Sequence, residues 1–596
     1  MNLPQKIKLG SLLLALTIGV NLLPISVHAD DSVSVSDKIS PQLQQAMEEA
    51  APGEKFPVIL WTQDIDHEQI ARQVEIRTGL TIDNIQLDAT KSLDMAQVEQ
   101  MFSPTASDAQ AKEQMETLLE ETEAVREQKR VMADTYVAQK RSAYTAAYHS
   151  ENTKKLRSLK VPENDVVFQS EYSPMMVVNM SEEEIAKASR SAAVTSLELC
   201  EKMDGGDDSR ISSVQTVQAD IICTTYGLTG KGVKIGQIET GIPDTSYDGL
   251  DNKVTVIDGD YTMHATDVAM VMHTVAPDAQ IYSIGLGSRK DLAYICSKIE
   301  TLLNYGVSVI NMSYSLGRSL WNWYTKLEKW VDHISGTHEV TFVKSAGNGR
   351  IGSSIPEPGL AFNIITVGAI DDNETGFILT DDCLEDYTCT GNGGQSGCAK
   401  PDVLAPGTSY DGGTSFSAPI VTGTVAQMMQ YDSSLKSRAR PIKAIISACC
   451  DRKVDNRKGG TPETMEQGLT SEQGAGVVNA RRMYYILTQS KYTSGNFTGS
   501  SYMTEINLSS PCNVSATWIR ENGVSNHTSG SVGVTDYQNL DLYLYSSTGE
   551  QLDSRLNMSS TEMVYRNNVT PGVYTVQLHK RDENTNRTIW FGLAWY

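Results

Sequence analysis

Beyond its first 29 residues the 596-residue chain lacks any unbroken apolar run of about 18 residues, the length a membrane-spanning helix requires. No sorting tail is read in the closing "IWFGLAWY". Positive charge is scarce as well: 50 Lys and Arg stand against 73 Asp and Glu, a net charge of −23. That balance argues against nucleic acid or an anionic membrane as partner. Cysteine is sparse, at nine. Cys383, Cys389 and Cys398 crowd one stretch, but a fourth ligand and a nearby histidine are missing, so a zinc set is disfavoured. Cys200 would leave with an N-terminal segment. The remaining eight are an even number, which suits disulfides outside the cell without fixing their pairing.

What is present divides the chain. Lys6 and Lys8, the apolar "GSLLLALTIGV" and the V-x-A site at Val27–Ala29 make residues 1–29 a secretory signal peptide, predicting a secreted, extracellular product. The rest exceeds one core, since cores stop growing near 250–300 residues. Residues 30–205 are acidic, with 32 Asp and Glu against 18 Lys and Arg. They read as an α+β domain built from strand "FPVILW", strand-like "DVVFQSEY" and "MMVVNM", helix "SEEEIAKA" and strand "AAVTSLEL". Ser181 and Glu184 form a capping box at the start of that helix. Between about 105 and 150, Met115, Leu118, Thr122, Val125, Met132 and Tyr136 recur at helical steps, with Lys129 interrupting the stripe. The segment is a helical insertion.

From 206 to 489 short apolar strands alternate with helices: "GVKIGQIE", "QIYSIGL", "VSVINMS", "VTFVKSAG" and "NIITVGAI" between "ATDVAMVMHTV", "KDLAYICSKIETLLNYG" and "LWNWYTKLEKWVDHI". That rhythm predicts a parallel sheet with helices on both faces. From 490 to 596 Ser, Thr and Asn rise and short alternating strands follow, predicting a separate β-sandwich.

Four residues fall at strand ends or helix starts of the middle region. Ser415, in "GGTSFSAPIVTG", opens a helix whose free N–H groups can hold a developing oxyanion. A glycine-turn N-cap serine is the bland reading of "GTS" alone. His264 opens "HATDVAMVMHTV", Asn348 lies in "SAGNG" and Glu239 ends "KIGQIE". Catalytic groups of open α/β sheets gather outside the carboxyl ends of strands, and all four sit there.

In this order, "ETG", "HATDVAM", "AGN" and "GTSFSAP" resemble the subtilisin (S8) family of serine peptidases. "VAPDAQIYSIGL", "VINMS" and "GAGVVNA" resemble its framework over about 212–489. The resemblance implies an α/β subtilisin-like fold and a secreted serine endopeptidase acting through an acyl-enzyme. Ser415 would be the nucleophile, His264 the general base, Glu239 the orienting acid and Asn348 the oxyanion hole. Ser313, Tyr314 and Ser315, with Ser345, Ala346 and Gly347, would be the edges that bind extended peptide or protein substrate. Residues 30–205 resemble an I9-like propeptide, implying a zymogen inhibited by its own N-terminal domain and cut within 201–213. The bland reading of that stretch is a linker. Residues 490–596 resemble a pre-peptidase C-terminal sandwich. No cofactor is required. Calcium is common in the family, and loops 248–253 and 371–374 are acidic but without EF-hand spacing. Glu239 stands where the family has Asp, and Asp258, Asp260 and Asp267 are nearby alternatives in sequence. A catalytically inactive pseudopeptidase that binds or regulates is the competing class. An adhesin built on the sandwich is a third.

Overall fold

The computed structural model describes residues 38–48, 54–86, 109–200, 205–206, 215–247, 249–289, 291–316, 324–373, 381–391, 399–407, 412–456, 460–519, 539–555, 559–581 and 588–596, with the side chains of 109–123 left aside. The signal peptide, Cys398 and all of 201–213 except Gly205 and Gly206 fall outside them.

The N-terminal region runs α1 (Pro41–Glu48), β1 (Lys55–Thr62), α2 (His67–Thr78), α3 (Ile82–Ile85), α4 (Ala109–Leu159), β2 (Val166–Gln169), β3 (Met175–Ser181), α5 (Glu182–Ser189), β4 (Val194–Leu199) and β5 (Gly205–Gly206). Strands β2-β3-β1-β4 form an antiparallel sheet. Ser181 and Glu184 close both bonds of the capping box at the start of α5. The period-2 alternation of β1 gives the sheet two apolar faces. Phe56, Val58 and Leu60 pack with Leu43, Leu156 and Ile185, whereas Ile59 and Trp61 share a core with two helices of the middle region. Helix α4 is longer than the stripe predicts. Lys129, which interrupts that stripe, reaches the Asn84 carbonyl.

The middle region holds β6 (Lys234–Glu239), β7 (Val254–Asp258), β8 (Gln280–Gly285), β9 (Val309–Met312), β10 (Ser315–Leu316), β11 (Thr341–Ser345), β12 (Ile365–Asp371), β13 (Cys383–Leu384) and β14 (Val403–Pro406). Between and after them run α6 (Ala219–Thr224), α7 (Met263–Val275), α8 (Leu292–Asn304), α9 (Lys326–His338), α10 (Thr414–Tyr431), α11 (Ala439–Ala448) and α12 (Ala480–Thr488). The main sheet has the order β13-β12-β11-β9-β6-β8-β7, with β14 also on β12. It is mixed rather than purely parallel, because the short β13 returns antiparallel along β12. Helices α7 and α10 cover one face and α8 and α9 the other. The predicted helix "LWNWYTKLEKWVDHI" is described only from Lys326. Thr325 caps it there in a box with Glu328, a stronger start signal than the aromatic run before it.

The last region forms two four-stranded antiparallel sheets, β15 (Tyr492–Phe497), β22 (Ile589–Trp595), β17 (Cys512–Trp518) and β20 (Thr561–Arg566) in one, and β16 (Ser501–Leu508), β21 (Gly572–Lys580), β18 (Leu540–Tyr545) and β19 (Gln551–Arg555) in the other. They share one apolar core. The first sheet lies directly on α11. Gly592 permits this, since a Cβ there would meet the Arg440 carbonyl carbon at 2.6 Å. Asn513 Nδ2 donates to the carbonyls of Ala448 at 2.9 Å and Cys450 at 2.7 Å. Cys200, Cys223, Cys296, Cys389, Cys449, Cys450 and Cys512 are free thiols.

Candidate active site

Glu239 ends β6, fully buried, at the carboxyl edge of the sheet. Thr262 caps α7 by accepting the Ala265 N–H, and Gln237 Nε2 donates to the Ala265 carbonyl at 2.7 Å. Together these fix the first turn of α7 against β6 and place His264 beside Glu239. The distance from His264 Nδ1 to Glu239 Oε2 is 3.0 Å, with both side chains buried. The second carboxylate oxygen accepts the Ser313 N–H at 3.1 Å. The other acids near in sequence do not share this arrangement. Asp258 pairs with Lys298, and Asp260 is exposed. Asp267 is buried one turn further along α7.

Gly413 caps α10 without a side-chain hydrogen bond, which leaves Ser415 in the first turn of an 18-residue helix. The N–H groups of that turn and the helix dipole favour negative charge at this point. Ser415 Oγ donates to the Ser313 carbonyl at 3.1 Å. Phe416, next along, packs against the His264 ring with centroids 5.7 Å apart. Asn348 is oriented by Thr414, whose N–H and Oγ both donate to Asn348 Oδ1 at 2.9 Å. The amide nitrogen is thereby turned toward Gly413, where a Cβ would come within 3.0 Å of it. A hydroxyl at the positive end of a helix, an imidazole held by a carboxylate and an oriented amide are the parts that acyl transfer uses.

The six predicted substrate-edge residues behave differently. Ser315 in β10 pairs antiparallel with Gly206, and Leu316 with Gly205, so this edge already holds an extended segment. Ser313 and Tyr314, just before it, are buried. The second trio is bonded internally. The Ala346 N–H goes to the Val367 carbonyl, the Gly347 N–H to Thr414 Oγ1, and the Gly347 carbonyl accepts from the Cys389 N–H. Three groups went unnoticed in the sequence. Thr414 positions Asn348, as above. Asn311 bridges Ser313 Oγ and the Thr422 hydroxyl, tying β9 to α10. Lys344 is fully buried in β11, and its burial pushes the amine down to about 7, against the opposing negative charge of Glu239. Its one legible signal is a lysine in the otherwise apolar strand "VTFVKS". Among the described residues no three His, Cys, Asp or Glu side chains converge as metal ligands.

Residues 230–476 match the Peptidase_S8 model of the subtilase family. The serine protease AprX of Bacillus subtilis (strain 168) is 28% identical over 303 residues, which cover 44% of this chain and 68% of that protein. An alkaline protease of Alkalihalobacillus alcalophilus is 26% identical over 348 residues, covering 53% and 81%. Subtilisin BL of Lederbergia lenta is 28% identical over 284 residues, covering 43% and 91%. Glu239, His264, Ser313, Asn348 and Ser415 all lie in the matched segment, and residues 230–476 are a subtilisin-like serine-protease domain of the peptidase S8 family.

Proposed function

We propose that the protein is a secreted serine endopeptidase made as a zymogen, with Glu239 as the acid of its triad. The observation that carries this is the close approach of the Glu239 carboxylate to His264 Nδ1. In the reaction Ser415 Oγ attacks the carbonyl of an extended peptide, and His264 takes the proton and returns it to the leaving amine. Glu239 holds the Nδ1–H tautomer and stabilises the imidazolium. Asn348 Nδ2 and the Ser415 N–H receive the oxyanion, and water then hydrolyses the ester. Glutamate serves here because its extra methylene lets one carboxylate reach both His264 and the Ser313 N–H.

The zymogen reading draws on the pairing of Gly205–Gly206 with Ser315–Leu316. In it, residues 30–205 occupy the substrate edge through their own C-terminus until the chain is cut. Export rests on residues 1–29. No described helix is long and apolar enough to cross a membrane.

A pseudopeptidase that binds or regulates is the second reading, favoured by the Ser415 hydroxyl being engaged by a backbone carbonyl. A fluorophosphonate probe on wild type and Ser415→Ala, with N-terminal sequencing of the protein from culture medium, separates the two. Labelling of wild type alone, with a new N-terminus within 201–213 that Ser415→Ala lacks, is the expected result. An unlabelled wild type that remains joined to residues 30–205 refutes the peptidase reading.

A further inference from the structure

Cys389 is a nucleophilic group that the mechanism above leaves unused. It is a free thiol without exposed surface, packed with Ile355 and Leu360. Its segment is anchored to β12. The Glu385 N–H donates to the Ala369 carbonyl at 3.1 Å, and Thr388 Oγ1 accepts from the Ala369 N–H and donates to the Ala369 carbonyl, both at 3.2 Å. Filling a small apolar space is what a buried free cysteine ordinarily does. That role does not explain the hydrogen bonds the residue makes.

Those bonds go to the two peptide groups on either side of Asn348. The Cys389 N–H donates to the Gly347 carbonyl at 2.9 Å, and Cys389 Sγ accepts the Gly349 N–H at 3.1 Å. Peptide groups are planar, so the chain turns at Asn348 only through that residue's two backbone dihedrals. Bonds to the group before it and the group after it constrain both. Asn348 itself is exposed, so packing does not set its backbone. Thr414 orients the side-chain amide, and Cys389 holds the main chain that carries it.

The thiol lies directly under this turn. Gly347 has φ +95°, and a Cβ there would come within 3.4 Å of Cys389 Sγ and 2.5 Å of Pro356 Cδ. Farther along, the Ile351 N–H donates to the Asp386 carbonyl at 3.2 Å and the Gly352 N–H to Thr390 Oγ1 at 2.9 Å. Residues 386–390 therefore grip residues 347–352 at four points, and Cys389 supplies the two that flank Asn348. Sulfur is a weak acceptor that an apolar pocket tolerates. One side chain can thus face Ile355 and Leu360 and still receive the Gly349 N–H.

We propose that Cys389 is a positioning residue of the oxyanion hole: its thiol holds the Gly349 N–H and so keeps Asn348 Nδ2 aimed at the oxyanion beside Ser415. This rests on the peptidase reading above. Removing an oxyanion donor outright costs about 10²–10³ in kcat. A donor that is present but loosely held costs part of that. The loss falls on kcat rather than KM, because the oxyanion exists only after Ser415 has attacked.

The test uses the protein expressed from the full-length chain and one quenched peptide that wild type cleaves. Cys389→Ala removes the acceptor, Cys389→Ser restores one, and Cys389→Val is a second acceptor-free replacement should the alanine variant not fold. Cys389→Ala is expected to lower kcat roughly 10-fold with KM changed less than about twofold, and Cys389→Ser to recover most of the loss. In an Asn348→Ala background the same Cys389→Ala change should cost less than about twofold more, since its effect passes through Asn348. Urea midpoints of the same Cys389 variants in the Ser415→Ala chain give their stabilities. Three results each overturn the proposal: an acceptor-free variant with wild-type kcat, a full loss that persists without Asn348, or activities that follow the midpoints instead of the acceptor. A wild type that fails to react with the fluorophosphonate probe instead removes the peptidase reading, and this inference with it.

Discussion

Glu239 shows how far a single side chain can be read. Its place at the end of "KIGQIE" identified it, but whether a glutamate could orient His264 depended on length and angle. The structure answers with one carboxylate spanning two donors, His264 Nδ1 at 3.0 Å and the Ser313 N–H at 3.1 Å. Aspartate, one methylene shorter, cannot hold both without moving β6. Glu239→Asp is therefore expected to reduce kcat by about 10- to 100-fold, and Glu239→Gln by roughly 10⁴-fold through the wrong imidazole tautomer. Steady-state kinetics on one good peptide measures both. A Glu239→Asp variant that equals or exceeds wild type would show that the second bond, to Ser313, is dispensable. Thr414 and Asn311 were invisible at this scale, because a threonine beside a nucleophile and an asparagine in a strand have no pattern of their own. Only the contacts to Asn348 and Thr422 give them roles.

At the scale of elements, periodicity and caps carried most of the reading. Ser181 with Glu184, and the apolar strands of the main sheet, are local signals and fall where they were expected. Three departures have physical causes. Helix α9 is described from the Thr325 cap rather than from the aromatic run. Strand β13 is a two-residue return whose sequence is too short to show a period. The sheet on α11 packs through Gly592, a close approach that composition does not reveal. Helix α10 is apolar nearly all round, as a central helix must be, and its packing makes a specific demand. A Cβ at Gly423 would fall 2.5 Å from Val275 Cβ on α7. Gly423→Val is expected to destabilise by about 1–3 kcal/mol or more through overpacking. It should also lower activity, since α7 and α10 carry His264 and Ser415. Urea unfolding of the Ser415→Ala chain with and without Gly423→Val reads the stability loss free of self-cleavage. An unchanged midpoint would mean that the two helices can move apart at no cost.

Across the molecule, the N-terminal region is held to the protease domain by more than the sheet face of β1. Arg141 of α4 donates to the Leu303 and Val307 carbonyls, and Asp134 pairs with Lys436 at 2.7 Å. Tyr172 Oη donates to Asn304 Oδ1 at 2.6 Å. At the same boundary Tyr148 Oη donates to Asp64 at 2.8 Å and lies 2.7 Å from His67 Nε2 and 3.2 Å from His333 Nε2. His338 Nε2 donates to the Tyr172 carbonyl at 2.7 Å. Trp61 and Lys329 complete the surroundings of His333. Burial pushes His333 down to about 4 although Asp64 opposes it, and burial holds His338 well below its usual value. Both are neutral in the folded protein at pH 7.

The sign follows from proton binding. Between pH 6.5 and 4 the separated or unfolded chains bind protons that the packed His333 refuses. Its contribution is complete above 6.5 and is lost as pH falls toward 4. For His333 alone this amounts to roughly 3 kcal/mol at the acid end. The Ser415→Ala chain is expected to lose stability from pH 7 to 4.5, and His333→Phe should lose measurably less. Urea midpoints at several pH values provide the comparison. Equal slopes in the two proteins would discard the histidines as the acid-sensitive contact.

The sequence by itself determined which segments become strands and helices, the order of Glu239, His264, Asn348 and Ser415 along them, and the middle region's likeness to subtilisins. These are local or ordered features that survive without coordinates. The tertiary structure decided which acid meets His264, how Thr414 aims Asn348 and what lies along the Ser315 edge. Each of these is a contact between residues brought together by crossovers of a sheet, from 25 positions apart for Glu239 and His264 to more than a hundred for Gly206 and Ser315. Such distances are set by strand register, helix approach and burial, which no single stretch of sequence contains.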